Sequence, residues 1–177
     1  MPSVRTVLVV GSGAAGCAAA ILFARDGAAV DLIEIKPDVS ALGSGITVQG
    51  NALRVLRQLG VWDEVSAAGY AFNTLGLRAP DGTLLMEMDD VRTGGPDLPA
   101  TVGMYRPALA RILTEAAAAA GAKLRYATTV RSLTQDADGA DVVFSDGTSG
   151  RYEFWLTAAP IPVTGAVGSP VNPIAVK

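Results

Sequence analysis

At 177 residues the chain is long enough for one domain with a sizeable core, and a sequence half apolar and only 18% charged is not that of a disordered polypeptide. A net charge of −3, with no cluster of lysine or arginine, argues against nucleic acid as a partner. The absence of histidine removes the Ser-His-Asp and Cys-His nucleophile systems and nearly all zinc chemistry, and the single cysteine, Cys17, rules out an intrachain disulfide.

The first element is apolar and β-branched. Val4 to Val10 reads as a strand buried on both faces. Three glycines follow, then the alanine-rich stretch Ala14 to Arg25, a helix ending at Gly27. Ala29 to Ile35 reads as a second buried strand. Strand, glycine turn, helix and strand make a right-handed βαβ unit with parallel strands.

Pro37 to Gly50 is rich in Gly and Ser and reads as a loop. Asn51 to Leu59 carries Leu53, Leu56 and Leu59 at helical spacing with Asn51 as its N-cap, and Gly60 stops it. Val61 to Ala68 adds a turn or two. Residues 75–88 read as two strands around the Pro-Asp-Gly turn 80–82, and Thr93 to Pro99 as a loop. A helix starts at Pro107 and runs to Ala120, with Gly121 as its C-cap. Ala122 to Tyr126 reads as a third parallel strand. Three short strands, about 128–135, 140–145 and 150–156, form an antiparallel meander. The last 22 residues, LTAAPIPVTGAVGSPVNPIAVK, hold four of the ten prolines and show neither helical nor strand periodicity. No apolar stretch reaches transmembrane length, so no membrane is expected, and the cysteine usage suits a reducing cytoplasm.

Gly11, Gly13 and Gly16 spell G-x-G-x-x-G directly after a strand and opening a helix, the context that gives this motif meaning. The first glycine permits the tight turn, the second lets a pyrophosphate reach the backbone, and the third lets helix and strand pack closely. The free N–H groups and positive dipole end of the helix hold phosphate without any lysine. Glu34 ends the second strand, where a carboxylate accepts hydrogen bonds from both hydroxyls of an adenosine ribose and repels a 2′-phosphate. The motif alone leaves NAD and FAD open. Cys17 reads as a small buried residue rather than an activated thiol, and Asp81 and Asp146 as turn residues.

The stretch ALGSGITVQGNALRVLRQLGVWDEV (41–65), together with MYRPALARIL (104–113), resembles the FAD-dependent aromatic hydroxylases, the para-hydroxybenzoate hydroxylase-like group A flavoprotein monooxygenases. The resemblance covers residues 4 to about 154. It implies an α/β, Rossmann-like FAD/NAD(P)-binding domain built from a parallel sheet with its βαβ unit plus an antiparallel β-meander. It implies FAD as cofactor, NAD(P)H as reductant and a small aromatic substrate. By the same resemblance Ala14, Ala15, Ile35, Lys36 and Val130 line the cofactor beside the glycines and Glu34. Gly45 and Ile46 lie along the flavin side, and Arg106 is a flavin ligand. No metal is implied.

In that family an Asp-Gly segment and most of the substrate-binding sheet follow the meander. Here GRYEFWL (150–156) leads into the proline-rich tail, and no Asp-Gly follows Gly147. The expectation is a C-terminally truncated domain. Residues 1–155 form a partial FAD-binding domain holding the start of the substrate-domain strands (about 73–105), and residues 156–177 an irregular tail from a frameshift or premature stop. The sheet edge beside the first strand is then left open, and no catalytic residue is named. Two other readings stand beside this one. One is a non-catalytic nucleotide-binding remnant or interaction module. The other is an NAD-dependent dehydrogenase or reductase, against which the meander and the 41–65 stretch speak.

Overall fold

The computed structural model describes residues 4–39 and 44–158. Among these, the chain forms two compact units, one from residues up to Asp38 and from Thr114 on, the other from Val39–Leu113.

The first unit is built on the glycine turn. Strand β1 (Thr6–Val10) leads through it to helix α1 (Ala14–Arg25), and the chain returns as β2 (Ala29–Ile33). These two strands pair in parallel, Val7 opposite Val30 and Val9 opposite Leu32. β1 is almost wholly buried, from 0% at Val7 to 5% at Val10, which is why its residues run VLVV with no polar alternation. Alanine-rich α1 ends at Asp26, and Gly27 takes the left-handed conformation (φ 93°) that the reversal into β2 requires.

The second unit begins with β3 (Gly45–Gln49), α2 (Gly50–Gln58) and α3 (Trp62–Ala68), then β4 (Gly69–Phe72). A hairpin, β5 (Thr74–Arg78) and β6 (Leu84–Asp89), follows, and β7 (Thr101–Tyr105) leads into α4 (Arg106–Ala119). The strand in the sequence-read loop 37–50 is not expected from the sequence, nor is β4, while β7 falls at the end of the expected substrate-domain strands, about 73–105, in a stretch given no strand of its own. They form one antiparallel sheet, β3-β7-β4, with Val48 opposite Val102 and Ala71 opposite Val102 on its other side. Leu53, Leu56 and Leu59 are buried, as their spacing predicts. Asn51, however, is not the N-cap. Gln49 holds that position, and the Asn51 N–H is taken by Thr93 Oγ1 at 3.1 Å. The hairpin turns at Pro-Asp-Gly as read, with Gly82 at φ 89° and the Thr83 N–H donating to Asp81 Oδ1. One face of the hairpin, Leu75 and Leu77 opposite Met88 and Met86, is apolar and 46–57% exposed.

Past α4 the chain re-enters the first unit. β8 (Lys123–Arg125) pairs in parallel with β2, the third parallel strand that the sequence predicts. The meander is β9 (Val130–Asp136), β10 (Gly139–Phe144) and β11 (Ser149–Tyr152). It covers one face of the parallel sheet in a core of Leu8, Val10, Ile33, Val130, Val142, Phe144 and Tyr152.

The expected third meander strand, 150–156, is two elements. β11 ends at Tyr152, and β12 (Phe154–Thr157) leaves the meander to pair in parallel with β1, Leu8 opposite Trp155. Glu153 makes the break. Its carboxylate accepts from the Arg5 backbone N–H at 2.7 Å and from Arg5 Nε at 2.6 Å, and its own N–H donates to Thr6 Oγ1. The edge of β1 expected to be open is therefore covered by Phe154–Thr157. The rest of the tail, residues 159–177, lies outside the described residues.

The parallel order is β12-β1-β2-β8. Successive strands step outward from β1 to β2 to β8, and then the chain crosses to the other side of β1. That reversal puts a topological switch point at the carboxyl end of β1, where open α/β sheets bind their ligands.

Candidate nucleotide site

The glycine turn sits at that switch point, and each of its glycines has a separate reason. Gly11 has φ 98°, and its N–H donates to Ile33 O at 2.8 Å, so it turns the chain while tying β1 to the end of β2. Gly16 is buried, and a Cβ there would stand 1.9 Å from Gly11 O, so no larger residue lets α1 pack this close to β1.

Gly13 is different. Its backbone (φ −65°, ψ 176°) is one that any residue adopts, and a Cβ built on it meets nothing within 4 Å. Neither turn nor packing asks for glycine here. Gly13 is also the N-cap of α1, and this start has no side-chain cap and no acidic residue in its first turn. Ala14 and Ala15 are exposed beside it, and the first intrahelical bond shown runs from the Cys17 N–H to Gly13 O. The result is a bare, exposed helix N-terminus whose N–H groups and dipole favour an anion. An open, side-chain-free helix start fits a pyrophosphate.

Glu34 stands beside this turn, held from several directions. Its N–H donates to Arg125 O and its C=O accepts from the Thr128 N–H, each at 2.9 Å. Ala127, the one non-glycine with positive φ (50°) among the described residues, lets the neighbouring loop fold back so that its N–H reaches Lys36 O. The carboxylate is gripped as well. Oε2 accepts from the Ser12 N–H at 2.9 Å and from the Ser12 hydroxyl at 3.1 Å, and Oε1 accepts from the Lys36 N–H at 3.1 Å. Burial pushes this carboxyl up, but the hydrogen bonds from Ser12 and Lys36 and the Lys36 charge outweigh burial and hold it below the ordinary carboxylate range. Glu34 stays ionised at neutral pH. Ile35 and Lys36 continue from it into solvent, both exposed.

Under the turn, Cys17 is fully buried and its thiol donates to Ser12 O at 3.1 Å. Burial, and then the charge of Glu34, push this thiol up to about 11, so it is an inert packing residue, as its place after Gly16 suggests. Val130 is 1% exposed and belongs to the core under the meander, so it presents no open surface beside the turn.

Gly45, Ile46 and Arg106 belong to the other unit. Gly45 opens β3 opposite Tyr105, which places it next to Arg106, the first residue of α4. A Cβ on Gly45 would make only ordinary contact, 3.5 Å from Met104 O. Ile46 is half-buried opposite Met104, and Arg106 is exposed with no ion pair shown among the described residues. Ser12 is the residue that sequence reasoning missed. A hydroxyl inside the glycine motif, beside a strand that ends in glutamate, is the signal that could have found it.

A cleft of about 670 Å³ lies at the opposite ends of the parallel strands, lined by Thr6, Asp31, Lys123, Arg125, Ser149 and Tyr152 among others. It contains none of the glycine-turn residues, and it sits at the amino ends of β1 and β2, away from the switch point. Tyr152 closes one wall, its hydroxyl donating to Asp31 Oδ2, while Arg125 stacks 4.3 Å over the Phe144 ring and pairs with Asp146. These groups join the sheet to the meander. No helix among the described residues is long and apolar enough to cross a membrane.

The FAD binding domain family matches residues 5–155. A probable 2-heptyl-3-hydroxy-4(1H)-quinolone synthase of Rhodococcus erythropolis is 31% identical over 120 residues, which cover 68% of this chain and 30% of the relative. A 2-heptyl-3-hydroxy-4(1H)-quinolone synthase of Mycobacteroides abscessus is 34% identical over 150 residues, 85% of this chain and 38% of the relative. Among solved structures, 2-methyl-3-hydroxypyridine-5-carboxylic acid oxygenase superposes with a TM-score of 0.71 at 25% identity, over 86% of this chain and 38% of that one. The chain thus spans between about three and four tenths of the length of these proteins.

Proposed function

The chain belongs to the FAD binding domain family, and from that premise we propose that the glycine turn and Glu34 hold the adenosine diphosphate part of FAD. The observation that carries this placement is Gly13, a glycine with ordinary dihedrals, exposed, whose missing Cβ faces open space at an uncapped helix start. The N–H groups at that start bind the pyrophosphate, and the Glu34 carboxylate receives the ribose. Ala14, Ala15, Ile35 and Lys36 border the nucleotide, and Val130 is assigned to the cofactor by the resemblance alone. Gly45 and Ile46, along the flavin side, and Arg106, as a flavin ligand, belong to the other unit and are assigned by the resemblance alone.

The relatives' names, a quinolone synthase and an oxygenase of a hydroxypyridine carboxylic acid, support oxygenation of small aromatic substrates; NAD(P)H as reductant and a cytoplasmic location join the proposal through the family resemblance alone. FAD, once bound, supplies the redox and oxygen chemistry, and the part that these residues play is to bind and orient it. Glu34, kept ionised by Ser12 and Lys36, repels a 2′-phosphate on the ribose and so favours FAD over a phosphorylated dinucleotide at this turn.

Heat release of whatever the purified chain retains, followed by fluorescence titration of the stripped chain with FAD and with NAD, tests the reading. Yellow FAD released, or saturable FAD binding that Gly13→Val removes, supports it. Selective NAD binding, or FAD binding indifferent to Gly13, refutes it.

A further inference from the structure

A carboxylate has about four acceptor positions, two on each oxygen. In Glu34 three are filled before any ligand arrives: both on Oε2, by the Ser12 N–H and the Ser12 hydroxyl, and one on Oε1, by the Lys36 N–H. The two backbone donors come with the loop itself. The hydroxyl is the contribution of one side chain, and the turn does not depend on it, because Gly11 and Gly16 make the turn. The main chain of Glu34 is fixed as well, its N–H donating to Arg125 O at the end of β8 and its C=O accepting from the Thr128 N–H, so the carboxylate starts from one place beside Ser12.

We propose that Ser12 is a positioning residue for ribose recognition: it fills Glu34 Oε2, so that the ribose is held through one hydroxyl, at Oε1, rather than through two. This rests on the reading that the adenosine half of the cofactor lies at the glycine turn. The chain then discriminates sharply between the two hydroxyls of an adenosine ribose, and the serine sets that discrimination without touching the reacting end of the cofactor.

The probes are ADP, 2′-deoxy-ADP and 3′-deoxy-ADP, titrated calorimetrically into the full chain and its Ser12→Ala and Ser12→Thr variants. With serine, one deoxy analogue binds about tenfold more weakly than ADP and the other within about twofold, the loss expected for a single hydrogen bond to a charged acceptor. In Ser12→Ala the freed acceptor on Oε2 takes the second hydroxyl, and both analogues fall at least about fivefold behind ADP. Ser12→Thr, which keeps the hydroxyl, restores the asymmetric pattern. A ligand-free readout accompanies this: the Glu34 carboxyl, followed by NMR, titrates at higher pH in Ser12→Ala and returns in Ser12→Thr.

Equal losses for both analogues in the parent chain, an unchanged pattern in Ser12→Ala, or an unmoved Glu34 titration would overturn the proposal. If ADP binds and Gly13→Val abolishes that binding while the Ser12 variants change nothing, the role of Ser12 falls and the site stands. If a folded chain does not bind ADP, both fall.

Discussion

Gly13 and Gly16 belong to one motif, yet the geometry gives them opposite behaviour on substitution. In Gly16→Ala the new Cβ would lie 1.9 Å from Gly11 O, against a floor of 3.0 Å for real Cβ contacts, so α1 must retreat by about 1 Å or more. The obstacle is backbone, and Gly11 is itself tied to Ile33, so the turn cannot yield freely. Overpacking of this kind costs about 1–3 kcal/mol, which in a chain of this size lowers Tm by roughly 2–12 °C. In Gly13→Ala nothing stands within 4 Å and the dihedrals are ordinary. Restricting the unfolded chain gains about 0.4–1 kcal/mol, and replacing glycine by alanine at an N-cap loses a similar amount. The net change is within about 0.5 kcal/mol, and Tm moves by less than about 2 °C. Binding runs the other way. On the proposed placement, a Val side chain at position 13 stands where the pyrophosphate meets the helix start and removes at least two charge-assisted hydrogen bonds, so FAD affinity is expected to fall at least about 100-fold. Thermal melts of Gly16→Ala and Gly13→Ala, with flavin fluorescence titrations of Gly13→Val, decide the matter. A Gly13→Ala chain as destabilised as Gly16→Ala, or a folded Gly13→Val chain that binds FAD within threefold of the parent, refutes the assignment.

Three other outcomes follow from the same geometry. Cys17, buried and with its thiol pushed up to about 11, is expected to ignore a thiol reagent at pH 8 until the chain unfolds; fast labelling of the native chain would show that the turn is open. The Glu34 carboxyl is depressed in the folded state, so the stability it contributes is complete above its unfolded value near 4.5 and is lost as pH falls through the lower folded value. Denaturation midpoints are therefore expected to drop below about pH 4.5 and to do so less in Glu34→Gln, whereas equal slopes would mean that the Ser12 and Lys36 bonds do not form. Glu153→Ala removes the acceptor of the Arg5 bonds, and hydrogen exchange should then speed up in β12 while β2 keeps its protection; unchanged exchange would mean that the ladder to β1 suffices alone.

How much of the fold could be read from the residues depends on how far apart its partners are. The βαβ unit is local: glycine punctuation, an alanine-rich helix and two apolar strands all fall within about thirty residues, and propensity and pattern agree there. β3, β4 and β7 are another matter. GITVQ, GYAF and TVGMY are short, each carries a glycine, and their pairing joins Gly45 to Tyr105 and Tyr70 to Gly103. Nothing within a window of ten residues distinguishes them from loop, because what makes them strands is a neighbour some thirty to sixty positions away. β12 was misassigned for the same reason. GRYEFWL alternates well enough to pass as one meander strand, but Glu153 meets Arg5 across 148 positions and breaks it in two.

The site divides along a similar line. Gly11, Gly13, Gly16 and Glu34 were legible because the motif fixes their spacing and each answers a general need of dinucleotide binding. What the sequence could not rank was which glycine answers to the fold and which to the ligand, since that depends on where a missing Cβ would point. Val130 shows the converse. The resemblance assigns it to the cofactor, while its side chain fills the core under the meander, so it presents no open surface beside the turn. Ser12 carries the argument furthest. In the motif it is an unspecified position, one of the x residues, and its weight comes from Glu34, 22 residues away, whose carboxylate it half saturates. A motif position left free by the turn can thus fill the acceptors of a strand-end carboxylate before any ligand arrives.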